Sequence, residues 1–164
     1  MSNTDIDAAI DVIDSHDEDD AQDARHNFEQ YGVDSHWVTM VDDSVVGVSG
    51  YRRVPESYGS GWISHTYVHI DHCGKGIGKQ LFRHLLDHAM SAGAQKLFIK
   101  VSNYIDETGH SLYQTAIRMY ESFGFECEVI SKDFYKEGED QLIYSKSLLP
   151  LPDEETEKEK EKPV

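Results

Sequence analysis

The sequence predicts an α/β (α+β) fold, a sheet of about six strands flanked by about four helices. Three observations lead there. Six short runs rich in Val, Ile, Phe, Trp and Tyr are bounded by turn residues, as strands are. Four longer stretches repeat their apolar residues every three or four positions, as helices packed on one face do. One strand-like run, residues 62–70, passes through a glycine-dense turn, Cys73-Gly74-Lys75-Gly76-Ile77-Gly78, straight into one of those helices.

In order, Thr4 is placed to cap the first helix, with Asp7 at the capping-box position and Ile6, Ala9, Ile10 and Ile13 as the apolar stripe. A second helix covers 18–31, with Ala21, Ala24, Arg25 and Phe28 on one side and Gly32 at its end. The acids at 17–20 suit its start through the helix dipole and otherwise read as solvated. Residues 37–41 and 45–54 form a hairpin about Asp42-Asp43-Ser44, and 55–61 is a loop carrying Glu56 and Tyr58. Behind the glycine turn, Ile77, Leu81, Phe82, Leu85, Leu86, Ala89 and Met90 mark a helix that ends at Gly93. Residues 97–101 are a strand and 103–110 a polar turn. Ser111 then caps a helix whose buried face is Leu112, Ala116, Met119, Tyr120 and Phe123. The last two strands, 125–130 and 141–147, flank a polar segment that includes Asp133 to Asp140.

The chain has 164 residues, enough for one core, and a formal charge of −16. Residues 1–20 supply −8 of it and residues 153–162 supply −3, so the body is only mildly acidic. Residues 1–149 read as one domain and 150–164 as a charged, disordered tail. This charge argues against nucleic acid and anionic membranes, and for cationic partners such as amines. Cys73 and Cys127, with no signal peptide or long apolar run, point to a reducing, cytoplasmic setting without a disulfide.

Strand, glycines, helix start: that order lines up backbone N–H groups at the positive end of a helix dipole, a cradle for phosphate oxygens. The spacing of the glycines separates the candidate ligands. A Walker loop would need Gly where Cys73 stands and Ser or Thr where Gln80 stands; a dinucleotide fingerprint needs Gly-x-Gly-x-x-Gly, whereas Gly74, Gly76 and Gly78 alternate. The turn does resemble the coenzyme A pyrophosphate loop of the GNAT acetyltransferase superfamily, Arg/Gln-x-x-Gly-x-Gly/Ala, with Cys73 in the place of the usual Arg or Gln. Downstream, Ala116-Ile117-Arg118-Met119-Tyr120-Glu121-Ser122-Phe123-Gly124-Phe125 is similar to that family's Ala-x-x-Leu-Tyr-Glu-x-x-Gly-Phe. The order of elements over residues 4–148 matches as well, except that the family's opening strand has almost no room before Thr4 and is short or missing.

The resemblance implies a GNAT fold: a mixed, mostly antiparallel sheet that splays between its central strands, with acetyl-CoA as co-substrate and no metal. It implies backbone hydrogen bonds from Val68 and Ile70 to the pantetheine arm. The amides of Gly74, Gly76, Ile77 and Gly78, beside Cys73, would hold the pyrophosphate, and Lys75 or Lys79 would pair with phosphate charge or stay solvated. Tyr120 matches the general acid that protonates the departing thiolate; its alternative is a core aromatic. Tyr113 stands where the family often has Asn, and Asn103 is the substitute within reach in sequence.

The proton acceptor is open. His65 and His69 on the central strand titrate in the right range, and simple alternation puts them with Tyr67, opposite Ser64, Thr66 and Val68; Glu56 is a further candidate. His84 and His88 flank Asp87 at a spacing able to bind zinc, but without a third ligand they read as a solvated face, and His69, Asp71 and His72 complete no tetrahedral set. Cys73 near a helix start is a minor candidate nucleophile of lowered pKa. Phe134, Tyr135, Glu137, Glu139 and Asp140 either wall the acceptor pocket or cap a solvated hairpin. The leading expectation is an acetyl-CoA-dependent N-acetyltransferase. It would act on a cationic primary amine (a small amine, an amino-acid derivative or a protein N-terminus) by direct attack in a ternary complex. The rivals are a non-catalytic acyl-CoA sensor and a phosphate-binding nucleotide protein; a homodimer is an open alternative.

Overall fold

The computed structural model describes residues 1–111 and 113–149. The expected tail and Leu112 lie outside the described residues. Ten principal elements follow one another: α1 (Ile6–Asp14), α2 (Glu18–Tyr31), β1 (His36–Val41), β2 (Ser44–Arg53), β3 (Ser60–Val68), α3 (Ile77–Ser91), β4 (Lys96–Ser102), α4 (Gln114–Ser122), β5 (Glu126–Lys136) and β6 (Glu139–Ser147), with 3-10 turns at Asn3–Asp5 and Ile70–His72. The six strands form one sheet in the order β1-β2-β3-β4-β6-β5. Every neighbouring pair is antiparallel except β3 and β4, which run parallel and pair only over Ser60–Trp62 and Lys96–Phe98. Beyond those three rungs the strands part and the sheet opens into a cleft.

Two apolar clusters hold the sheet between helices. On one face α3 and α4 bury Phe82, Leu85, Ile117 and Tyr120 against Leu97, Ile99 and Phe125. On the other, α1 and α2 bury Val12, Ile13, Ala24 and Phe28 against Val48. Both faces follow the helical spacing of the sequence, and burial of such side chains stabilises each helix by roughly 1.5–3 kcal/mol per large residue. Among the described residues no helix is long and apolar enough to cross a membrane.

Local departures from expectation have local causes. No strand precedes α1 among the described residues; instead the amino group of Met1 donates to the His36 carbonyl at 2.8 Å. The first cap lies two residues before Thr4: the Asp5 carboxylate accepts from the Ser2 amide and hydroxyl, both at 2.7 Å. Asp7 pairs with Arg25 at 2.9 Å and ties α1 to α2. Asp42 and Asp43 both take positive φ, the conformation a two-residue hairpin turn needs. Ser111 bridges Ile105, and α4 begins one residue after Tyr113. β5 runs on to Lys136, so the polar segment of the last hairpin is mostly strand, with its tip at Glu137 and Gly138.

Candidate active site

β3 ends at Val68, two residues short of the expected strand, and this shapes the cleft. His69 donates its amide to the Val46 carbonyl on the β2 side. Because strand groups alternate, the N–H and C=O of Val68 turn away from β2 into the splay. The Val68 carbonyl is met there by the His16 ring at 2.7 Å and the Cys73 thiol at 3.4 Å; its amide has no partner among the described residues. Ile70 instead sits exposed in the 3-10 turn and its amide bonds the Ser15 hydroxyl at 3.2 Å, so it is not a free strand edge.

The turn that follows is a cradle in geometry as well as in sequence. Gly74 and Gly76 adopt φ of +76° and +82°, and a Cβ added at either would meet no atom within 4 Å. The left-handed backbone therefore demands glycine, and the space before it stands open. Gly76 caps α3, whose fifteen residues aim their dipole at the turn. Between Gly74 and Lys79 no amide has a backbone partner among the described residues. These unspent donors, together with the open space, fit a pyrophosphate. Lys79 lines the cleft beside them, as does Arg118 from α4; Lys75 spends its ammonium on the Asp71 carbonyl at 3.1 Å. Burial pushes the Cys73 thiol pKa up, against the lowered value expected of a nucleophile at a helix start; Cys73 precedes Ile77, the first helical residue, by four positions.

A cleft of about 1400 Å³ runs from this cradle along the splay to the mouth between α2 and the β5–β6 hairpin. Tyr120 lines it. Its ring is packed against Phe82 and Phe125, burial pushes its pKa up to about 12, and its hydroxyl has no partner among the described residues. Tyr113 also lines the cleft, its pKa pushed up to about 12 by burial and by the charges of Asp20 and Asp17. Asp17, Asp19, Asp20, Asp23 and Glu139 border the cleft, with Tyr135, as do the cations of Arg52, Arg53 and Lys100. Of the hairpin residues expected either to wall an acceptor pocket or to cap a solvated tip, Glu139 and Tyr135 line the cleft. Asp140 is turned inward to Lys132 and the Asp133 amide, and Phe134 and Glu137 lie off the cleft.

The candidate bases separate. Glu56 sits exposed in the loop before β3, at the far end of the strand from the cradle. His69 caps the 3-10 turn, its ring nitrogen accepting from the Asp71 amide, outside the cleft lining. His65 does line the cleft, at a β-bulge: β2 advances from Val48 to Gly50 while β3 advances from Tyr67 to Ser64, and His65 takes φ +41°. The bulge breaks the alternation expected of the strand. Ser64 bonds the His36 ring at 2.8 Å, and the rings of His36 and His65 both pack edge-on against Phe28, so Ser64 and His65 share one face. Burial holds the His65 pKa near 4, which leaves it a weak proton acceptor. Asn103 is spent on the Asp140 amide at 2.8 Å, away from the cleft.

Sequence reasoning missed one contact. The Tyr67 hydroxyl donates to Asp20 Oδ2 inside the cleft, linking β3 to the first turn of α2 across 47 positions. Burial raises the pKa of both groups. The signal was present only as an acid at a helix start and a tyrosine on a strand.

A splayed sheet, an amide cradle at a helix start and a phenol between them define an acyl-coenzyme A transferase architecture. The sequence profile described as "Acetyltransferase (GNAT) family" matches residues 6–125, and the chain belongs to that family. It is 26% identical to the uncharacterized N-acetyltransferase YsnE of Bacillus subtilis (strain 168) over 114 residues, 68% of each chain. In fold it is similar to an aminoglycoside 6'-N-acetyltransferase solved with coenzyme A (TM-score 0.76, 14% identity, 93% of this chain and 95% of that one). It is also similar to yncA of Salmonella typhimurium solved with acetyl-CoA (TM-score 0.68, 18% identity, 94% and 95%).

Proposed function

We propose that the protein transfers the acetyl group of acetyl-CoA to a cationic primary amine by direct attack in a ternary complex. The observation that carries this reading is one cleft that holds a free-amide cradle, a phenol and a group of carboxylates. Free amides and Lys79 of the glycine turn, the Tyr120 phenol and the carboxylates of Asp17, Asp19, Asp20, Asp23 and Glu139 all line it, along with Arg52, Arg53, Lys100 and Arg118. A diphosphate would settle on the free amides and an ammonium beside the carboxylates, which brings a thioester and an amine into the same cleft.

Acetyl-CoA supplies the activated carbonyl. The amides from Gly74 to Gly78 fix the diphosphate and the Val68 amide, free in the splay, is the donor available to a pantetheine or thioester oxygen. Tyr120, protonated at neutral pH because its pKa is about 12, hands a proton to the departing sulfur. Two exposed thiols, Cys73 and Cys127, fit a cytoplasmic setting. Incubation with acetyl-CoA and a panel of amines, with titration of released thiol, tests the reading. Release with cationic amines is expected, and release with none above background overturns it.

A further inference from the structure

Resting on the transferase reading, we propose that Asp20 is the carboxylate that takes the proton from the incoming amine, with the Tyr67 hydroxyl holding it in place. Asp20 is the third residue of α2 and is carried to the cleft because Asp17 caps that helix, accepting from the Asp20 amide at 2.9 Å. Its Oδ2 accepts from Tyr67, while Oδ1 has no partner among the described residues and is left for a ligand. Tyr67 in turn lies two residues past the bulge and directly before Val68, whose amide faces the splay. The charges and phenols around the pair come from several elements: Asp17, Asp19 and Asp23 beside Asp20, Tyr113 before α4, and Tyr120.

Of the carboxylates bordering the cleft, Asp17 caps α2, Glu139 accepts from Ser102 and pairs with Lys136, and Asp20 is the one that Tyr67 holds; the bases expected from the sequence are no better placed. Glu56 is at the wrong end of β3, His69 is off the cleft, and the His65 ring is engaged with Phe28 and, at 3.3 Å, with Asn27. Burial moves Asp20 upward, toward the pH at which it works, which makes it a better proton acceptor than an ordinary surface carboxylate. The ammonium gives one proton to Asp20 Oδ1, and the freed nitrogen lone pair forms a C–N bond to the thioester carbonyl carbon while the C–S bond breaks. The sulfur leaves with the Tyr120 proton, the surplus N–H proton restores the phenol, and the proton on Asp20 passes to solvent. The products are an amide, a thiol and one proton.

The test compares two acceptors of similar size, propylamine, which is protonated at neutral pH, and 2,2,2-trifluoroethylamine, which is not. In Asp20→Asn, which keeps an acceptor for Tyr67, kcat/KM for propylamine should fall by roughly 100-fold, the usual share of a general base, and that for trifluoroethylamine by less than about threefold. Asp20→Glu should restore part of the propylamine rate. Equal losses with both amines, or no loss with either, overturn the assignment while leaving the transferase reading intact. A wild-type protein that releases no thiol with either amine overturns the inference together with the reading beneath it, and coenzyme A calorimetry then shows whether the cleft itself is at fault.

Discussion

Tyr120 is 8% exposed, and what is exposed faces the cleft. A phenol with a pKa near 12 donates a hydrogen bond throughout the neutral range and accepts no proton there. Tyr120→Phe keeps the packing against Phe82 and Phe125 and removes only the donor. Its expected effect is a drop in kcat of roughly 100-fold with coenzyme A affinity changed by less than about twofold, read by steady-state kinetics and calorimetry. His36 and His65 lead to a different measurement. Burial depresses both pKa values from 6.5 to about 4. In that interval the unfolded chain binds more protons than the folded one, so stability is complete above about pH 6.5 and is lost as pH falls toward 4. Each histidine contributes at most on the order of 3 kcal/mol, and their mutual repulsion keeps the two from adding. Denaturant midpoints between pH 7 and pH 4 should fall less steeply in His36→Gln than in the parent; equal slopes would remove His36 from the account.

At the scale of elements, the glycine turn and α3 act as one unit. Gly76 is both the cap of α3 and a left-handed residue, with open space where a side chain would go. Gly76→Ala therefore strains the backbone by roughly 1–2 kcal/mol without a clash, and coenzyme A affinity should weaken by about tenfold as the amides lose their aim. An unchanged affinity would show that the cradle does not depend on that conformation. This unit was legible in the sequence because positive φ and close approach can be met there by glycine alone. So were α2, which has a strong cap at Asp17 and a glycine end, and most of the helix faces, although Met90 of the expected α3 face is exposed and α4 buries Ile117, which its expected face left out. The bulge at His65 was not, since nothing about a histidine announces positive φ inside a strand. Nor was the end of β3: the 62–70 run keeps its alternation through Ile70, while the main chain turns at His69 to let Ser15 and Cys73 dock. The Asp20–Tyr67 contact joins residues whose local roles, helix dipole and strand aromatic, were already accounted for, so no local signal was left to point across the fold. The Ser2 cap was misplaced because Thr4-x-x-Asp7 and Ser2-x-x-Asp5 satisfy the same pattern.

For the molecule as a whole, the charge of the body matters less than where it sits. The chain carries −16, yet its cleft is lined by Lys79, Lys100, Arg52, Arg53 and Arg118 as well as by five carboxylates. Salt should therefore weaken both an ammonium acceptor, drawn by the carboxylates, and the coenzyme, drawn by the cations, with KM for both rising as ionic strength increases. A coenzyme KM indifferent to salt would argue that free amides, not Lys79 and Arg118, hold the phosphates. The union of β3 and β4 over Ser60–Trp62 and Lys96–Phe98 has a mechanical meaning too. Like a book bound by three stitches, the two halves of the sheet share a short spine, and a long cofactor laid in the gutter would brace the pages. Deuterium uptake at residues 63–68 and 99–102 should then slow when coenzyme A is added, while the outer β5–β6 hairpin, stitched along most of its length, keeps its own pace.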